Sequence, residues 1–140
     1  MDPIELISKL KGQHRVLRAD LSVVLNNFNS SSDSKILVAD LLRFKNNLAE
    51  HLRVENDDFY PDYLEKQGKK GYDLNNTKKF IAEMVEIGEA IDGFLKRYET
   101  PAAINEARSN FEKDLQEIIG VLNVRIETEE EGVFALYLLM

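Results

Sequence analysis

Cysteine is absent from the 140 residues of this chain. That excludes a disulfide framework, a thiolate metal site and a cysteine nucleophile, and leaves the compartment open. Proline occurs only three times and glycine seven, so punctuation is sparse, and no segment shows the strict alternation of a half-buried strand. Basic residues are in deficit, 18 against 25 acids, for a formal net charge of −7. Nucleic-acid binding needs a basic footprint, and the one basic cluster, Lys66 to Lys70, is too short to supply it. No apolar run approaches the ~20 residues of a membrane-spanning helix. Met1-Asp2-Pro3-Ile4-Glu5 lacks the charged and apolar regions of a secretory signal, and the expectation is a cytoplasmic protein.

What is present suits one globular domain over residues 1–140. The apolar share is 44% and the charged share 31%, as in ordinary folded proteins. A chain of this length buries roughly two-thirds of its unfolded surface, so its core needs no staples.

Four amphipathic segments emerge from the punctuation. Asp2-Pro3 reads as an N-cap with Pro at the first helical position. Ile7, Leu10, His14, Leu17, Leu21, Leu25 and Phe28 then keep the spacing of one helical face. Asn29 to Ser34 is a polar loop able to cap the next helix. That helix is predicted from about Lys35 to Glu65, with Leu37, Leu41, Phe44, Leu48, His51, Glu55 and Phe59 on its seam and a kink or break near Tyr60, ahead of Pro61. A loop is predicted over Gln67 to Asn76. The third seam is Phe80, Met84, Ile87, Ile91, Phe94 and Tyr98. Thr100-Pro101 starts the last helix, whose seam is Ile104, Phe111, Leu115, Ile118, Leu122, Arg125, Glu129, Val133 and Leu136. Amphipathic helices with short connections predict an all-α, up-down-up-down antiparallel four-helix bundle.

Five seam positions are ionisable where the pattern demands apolar residues: His14, His51, Glu55, Arg125 and Glu129. Such groups are almost never fully buried unless paired or bound to metal. His51 and Glu55 stack four apart on one helical face, as do Arg125 and Glu129. At ~1.5 Å of rise per residue, counting from the turns brings all five to one layer of the bundle. Two readings are open. Imidazole and carboxylate donors suit iron, manganese or zinc. Alternatively, a closed polar network pairs Arg125 with both Glu55 and Glu129.

The segment His51-Leu52-Arg53-Val54-Glu55-Asn56-Asp57-Asp58-Phe59-Tyr60-Pro61 resembles the helix-two signature of hemerythrin-like (HHE) domains, His-x-x-x-Glu, a polar stretch, an aromatic or aliphatic pair and Pro. Arg125 to Phe134 resembles the fourth-helix counterpart, with His51 matching Arg125 and Glu55 matching Glu129, and Gln13-His14-Arg15 resembles the first-helix element. The resemblance implies a metal centre, iron in the family, held inside the bundle, and it carries over to His14, His51, Glu55 and Glu129. Two departures matter. The fourth-helix His is Arg125 here, which stays protonated and cannot ligate, and the third helix has no His. A complete di-iron site is therefore not expected; what survives is a two-His, two-carboxylate mononuclear site.

The implied function is binding or sensing of metal, dioxygen or nitric oxide, and the alternative is a metal-free bundle acting as an interaction or regulatory module with a protein partner. An enzyme reading is the weaker one, with Glu55 and Glu129 the only paired carboxylates that could do acid–base work and a buried structural role favoured for them. Ser30 to Ser34 has no neighbouring His, Gly68 and Gly71 lack the spacing of a phosphate loop, and no cleft is expected beside Glu55 or Glu129. Glu127, Glu129, Glu130 and Glu131 read as a solvated face with one member turned inward. Tyr60, Tyr63 and Tyr72 read as core edges with wet hydroxyls.

Overall fold

A computed structural model describes all residues, Met1–Met140. It contains α1 (Pro3–Asn29), α2 (Ser34–Val54), α3 (Tyr60–Lys69), α4 (Asn75–Arg97), α5 (Pro101–Glu106), α6 (Arg108–Thr128) and α7 (Phe134–Leu139). α2 runs into α3, and α6 into α7, through single π-helical turns at Glu55–Phe59 and Glu129–Val133. The result is the expected all-α, up-down-up-down bundle of four long rods. α1 packs on α2 and α6, and α4 packs on α6. No helix is long and apolar enough to cross a membrane.

The helix starts reflect local chemistry. Asp2 accepts the Glu5 amide at 2.8 Å ahead of Pro3, Asp33 accepts that of Lys35 at 2.9 Å, and Thr100 accepts that of Ala103 at 3.2 Å ahead of Pro101. Each cap satisfies an otherwise orphan helical donor, typically worth about 1 kcal/mol.

Two expectations about the rods are corrected and a third is made specific. The kink or break expected near Tyr60 takes the form of a π turn at Glu55–Phe59, after which the rod goes on. In that turn the Tyr60 amide reaches back to the Glu55 carbonyl, Pro61, which has no N–H to donate, sits in the first turn of α3, and the rod continues to Lys69. Gln67 is therefore helical and buried, accepting the Thr77 hydroxyl at 2.8 Å, rather than part of a loop. The fourth rod pauses at Ala107, between α5 and α6. Its later π turn adds one residue to the helical count, so Phe134 and Tyr137 are buried where the uninterrupted period placed Val133 and Leu136.

The rods enclose two apolar clusters. The larger runs from Phe28, Phe44, Tyr98 and Phe111 to Leu17, Leu48 and Ile126. The smaller, rich in aromatics, holds Leu10, Val54, Phe59, Tyr60, Tyr63, Phe134 and Tyr137. Along α1, His14 falls between Leu10 of one cluster and Leu17 of the other. His51 likewise falls between Leu48 and Val54, and Glu129 between Ile126 and Phe134. A polar layer thus cuts the core in two.

Candidate metal centre

All five ionisable seam residues are buried: His14, His51, Glu55, Arg125 and Glu129 are each 4% exposed or less. Leaving a charge uncompensated there would cost several kcal/mol, so their partners decide what the layer is. One donor atom each from His14, His51, Glu55 and Glu129 lies within 4.8 Å of the others. The arrangement comes from the helical period, which carries His51 and Glu55 to one face of the second rod, and from the antiparallel packing of the first rod against the second and fourth.

The distances around the centre are short. His51 Nε2 is 2.7 Å from Glu55 Oε1, His14 Nε2 is 3.2 Å from Glu129 Oε1, and His14 Nε2 is 3.8 Å from Glu55 Oε1. His14 Nε2 and Glu55 Oε1 make these contacts at ion-pair distance but without well-aligned hydrogen-bond geometry. Both belong to the group of four atoms that lie within 4.8 Å of one another. Ligand atoms about 2.1 Å from one ion stand roughly 3–4 Å apart, so this set needs only small side-chain movements to close round a single cation. The mixed nitrogen and oxygen donors fit such an ion.

Surrounding residues hold the rings. His14 Nδ1 lies 2.7 Å from Glu130 Oε2, and His51 Nδ1 donates to Gln13 Oε1 at 2.8 Å. With Nδ1 occupied on both imidazoles, Nε2 is the atom presented to the centre, the arrangement usual for ligating histidines. Tyr60 donates its hydroxyl to Glu129 Oε2 at 2.6 Å, leaving Oε1 of Glu129 facing His14.

Arg125 does not pair with Glu55 or Glu129, which corrects the closed-network expectation. Its guanidinium donates to the Phe80 carbonyl at 2.7 Å and to the Tyr60 hydroxyl at 3.3 Å, and it lies 3.3 Å from the centre of the Phe80 ring. It reaches Glu129 only through Tyr60. A planar cation with an aromatic face and two oxygen acceptors beside it is held there without a carboxylate.

The electrostatics are those of a compressed charge cluster. Burial alone would lower the His14 pKa, but the carboxylates of Glu129, Glu55 and Glu130 outweigh it and raise the value to about 9. Burial pushes Glu55 up, yet His14 and His51 together hold it well below the usual carboxylate range. Glu129 goes the other way: burial raises it, His14 opposes this, and the neighbouring Glu55 charge adds to the rise. Burial and the two glutamates also push the Tyr60 hydroxyl up, so it remains a donor at neutral pH.

Four of the five residues singled out in the sequence thus bring one nitrogen or oxygen atom each within 4.8 Å of the others, and the fifth lines the same layer. Gln13, Tyr60 and Glu130 were not recognised. Glu130 belongs to the acidic run read as solvated; two of that run turn inward, because the π turn brings Glu129 and Glu130 toward α1 together. Tyr60 has its hydroxyl inside the core rather than in water. A cleft does exist beside Glu55, contrary to expectation. It lies between α2 and α4, has a volume of about 350 Å³, and is bordered by Tyr60, Met84 and Gly88.

The fourth rod repeats the second at one constant spacing, pairing Leu48 with Leu122, His51 with Arg125, Glu55 with Glu129, Tyr60 with Phe134 and Tyr63 with Tyr137. The same spacing sets Gly88 of α4 against His14 of α1. Imidazoles therefore occupy one half of a pseudo-symmetric layer, and an arginine and a gap the other. Residues 5–137 match the family model of the hemerythrin HHE cation-binding domain. Comparisons with curated proteins and with solved structures return no match.

Proposed function

The chain belongs to the hemerythrin HHE cation-binding family, and we propose that residues 1–140 act as one such domain, holding a single divalent ion, iron by preference, through His14, His51, Glu55 and Glu129. The observation that carries this reading is the buried group of two imidazole nitrogens and two carboxylate oxygens, from His14, His51, Glu55 and Glu129, all within 4.8 Å of one another. Two imidazoles and two carboxylates neutralise and orient a dication, and suit iron among the common metals.

A ferrous ion there would supply open coordination positions for dioxygen or nitric oxide, together with one-electron redox chemistry. The protein's own part is separable from that. Gln13 and Glu130 fix which imidazole nitrogen faces inward. Tyr60 binds one oxygen of Glu129 and keeps the other free. The aromatic cluster of Phe59, Tyr63, Phe134 and Tyr137 closes one side against water. Arg125 places a fixed positive charge one hydroxyl away, which disfavours a second cation and favours a small electron-rich ligand.

Metal analysis after anaerobic equilibration with ferrous iron tests the reading, with spectra recorded before and after dioxygen or nitric oxide. About one iron per chain, lost in Glu55→Ala, is expected. A chain that stays metal-free and colourless overturns it in favour of the interaction module.

A further inference from the structure

We propose that the cleft between α2 and α4 is the inlet through which a divalent cation reaches the buried centre, with Gly88 keeping it open. The inference rests on the metal-site reading above and adds the route. Glu55, only 1% exposed and with its Oε1 in the four-residue group, borders this cleft. Four further clefts on the surface border none of the four donor residues.

The cleft exists because α4 stands off at this level. Between Thr77 and Ile91 no α4 side chain is buried, whereas α1, α2 and α6 all present buried residues to the layer. Gly88 is the counterpart of His14 but has no side chain to fill its share of the core. A Cβ added at Gly88 would meet no heavy atom within 4 Å, so the space is open rather than occupied by a neighbour. Two carboxylates, Glu89 and Asp92, border the same cleft. Asp92 is paired with Lys96 at 2.9 Å, and Glu89 makes no ion pair. Low-dielectric walls beneath an acidic rim concentrate cations and repel anions.

The test is the rate at which cobalt(II), a coloured probe, is taken up by the metal-free chain and then removed by a chelator. Gly88→Leu projects a side chain into the cleft and is expected to slow both rates roughly tenfold or more, with cobalt per chain and the dissociation constant unchanged. Glu89→Gln should slow uptake alone, by about twofold, and the loss should shrink as salt is raised. Gly120→Leu, which fills the separate cleft beside Arg125, should change neither rate. Equal rates in wild type and Gly88→Leu, or slowing by Gly120→Leu instead, overturn the inlet while leaving the metal site standing. If Gly88→Leu does not fold, an unchanged uptake rate in Glu89→Gln at low salt overturns it. Absence of cobalt binding by the wild-type chain overturns both readings.

Discussion

Glu55 and Glu129 each open a π-helical turn: the Tyr60 amide returns to the Glu55 carbonyl, and the Phe134 amide to the Glu129 carbonyl. The wider turn admits an extra residue and re-aims the side chains beyond it. In both rods the carboxylate stays in the layer while aromatic residues swing beneath it, where Phe59 and Phe134 meet edge to face at 5.1 Å. The two buried glutamates thus share a backbone device as well as a side-chain type.

Replacing Glu55 by alanine removes the carboxylate that lies close to both imidazoles. Metal binding should fall below detection, and the metal-dependent rise in melting temperature should disappear, since binding to the folded state alone adds stability by mass action. Thermal denaturation with and without ferrous iron or cobalt(II) reads this out; a metal-induced shift that survives in Glu55→Ala would remove Glu55 from the site.

The raised pKa of His14, about 9 against an ordinary 6.5, carries a defined sign. Without metal, its contribution to stability is fully present below pH 6.5 and is lost as the pH rises through about 9. A cation needs the neutral imidazole, so binding near pH 7.5 should expel about one proton per ion and weaken about tenfold for each pH unit lowered. Titration calorimetry in buffers of different ionisation enthalpy counts that proton, and His14→Asn should abolish both effects.

Arg125→Met separates the two roles open to this residue. Because the guanidinium contacts no carboxylate, the 3–5 kcal/mol penalty of a broken buried ion pair does not apply. Loss of its hydrogen bonds to the Phe80 carbonyl and Tyr60 should cost about 1–2 kcal/mol in denaturant unfolding. Metal affinity should rise by about tenfold as a nearby like charge is removed. A cost above 3 kcal/mol together with unchanged affinity would indicate direct pairing with Glu55 or Glu129.

Tyr60→Phe keeps the ring packed and deletes one hydroxyl. Glu129 loses its 2.6 Å donor and Arg125 one of its acceptors. Unfolding free energy should drop by about 1–3 kcal/mol, and metal affinity by roughly tenfold through loss of orientation. Affinity equal to wild type would show that Glu129 is oriented by the metal alone.

Much of this protein is set by period and punctuation. Caps at Asp2, Asp33 and Thr100, apolar residues every third or fourth position, and short polar connections suffice for four antiparallel rods, because each element's signal is local. The five ionisable interruptions at His14, His51, Glu55, Arg125 and Glu129 marked the layer, since burying charge without a partner is too costly to occur by chance on three rods at once. The partners themselves were decided only by tertiary structure. Whether Arg125 faces the glutamates or the Phe80 carbonyl depends on a rotamer choice among neighbours far apart in the chain. The inward turn of Glu130 and the burial of Phe134 and Tyr137 depend on one extra residue in a π turn, a shift that a steady helical period cannot register. The cleft beside Glu55 depends on how far α4 stands from α2, a distance set by packing over the whole rod.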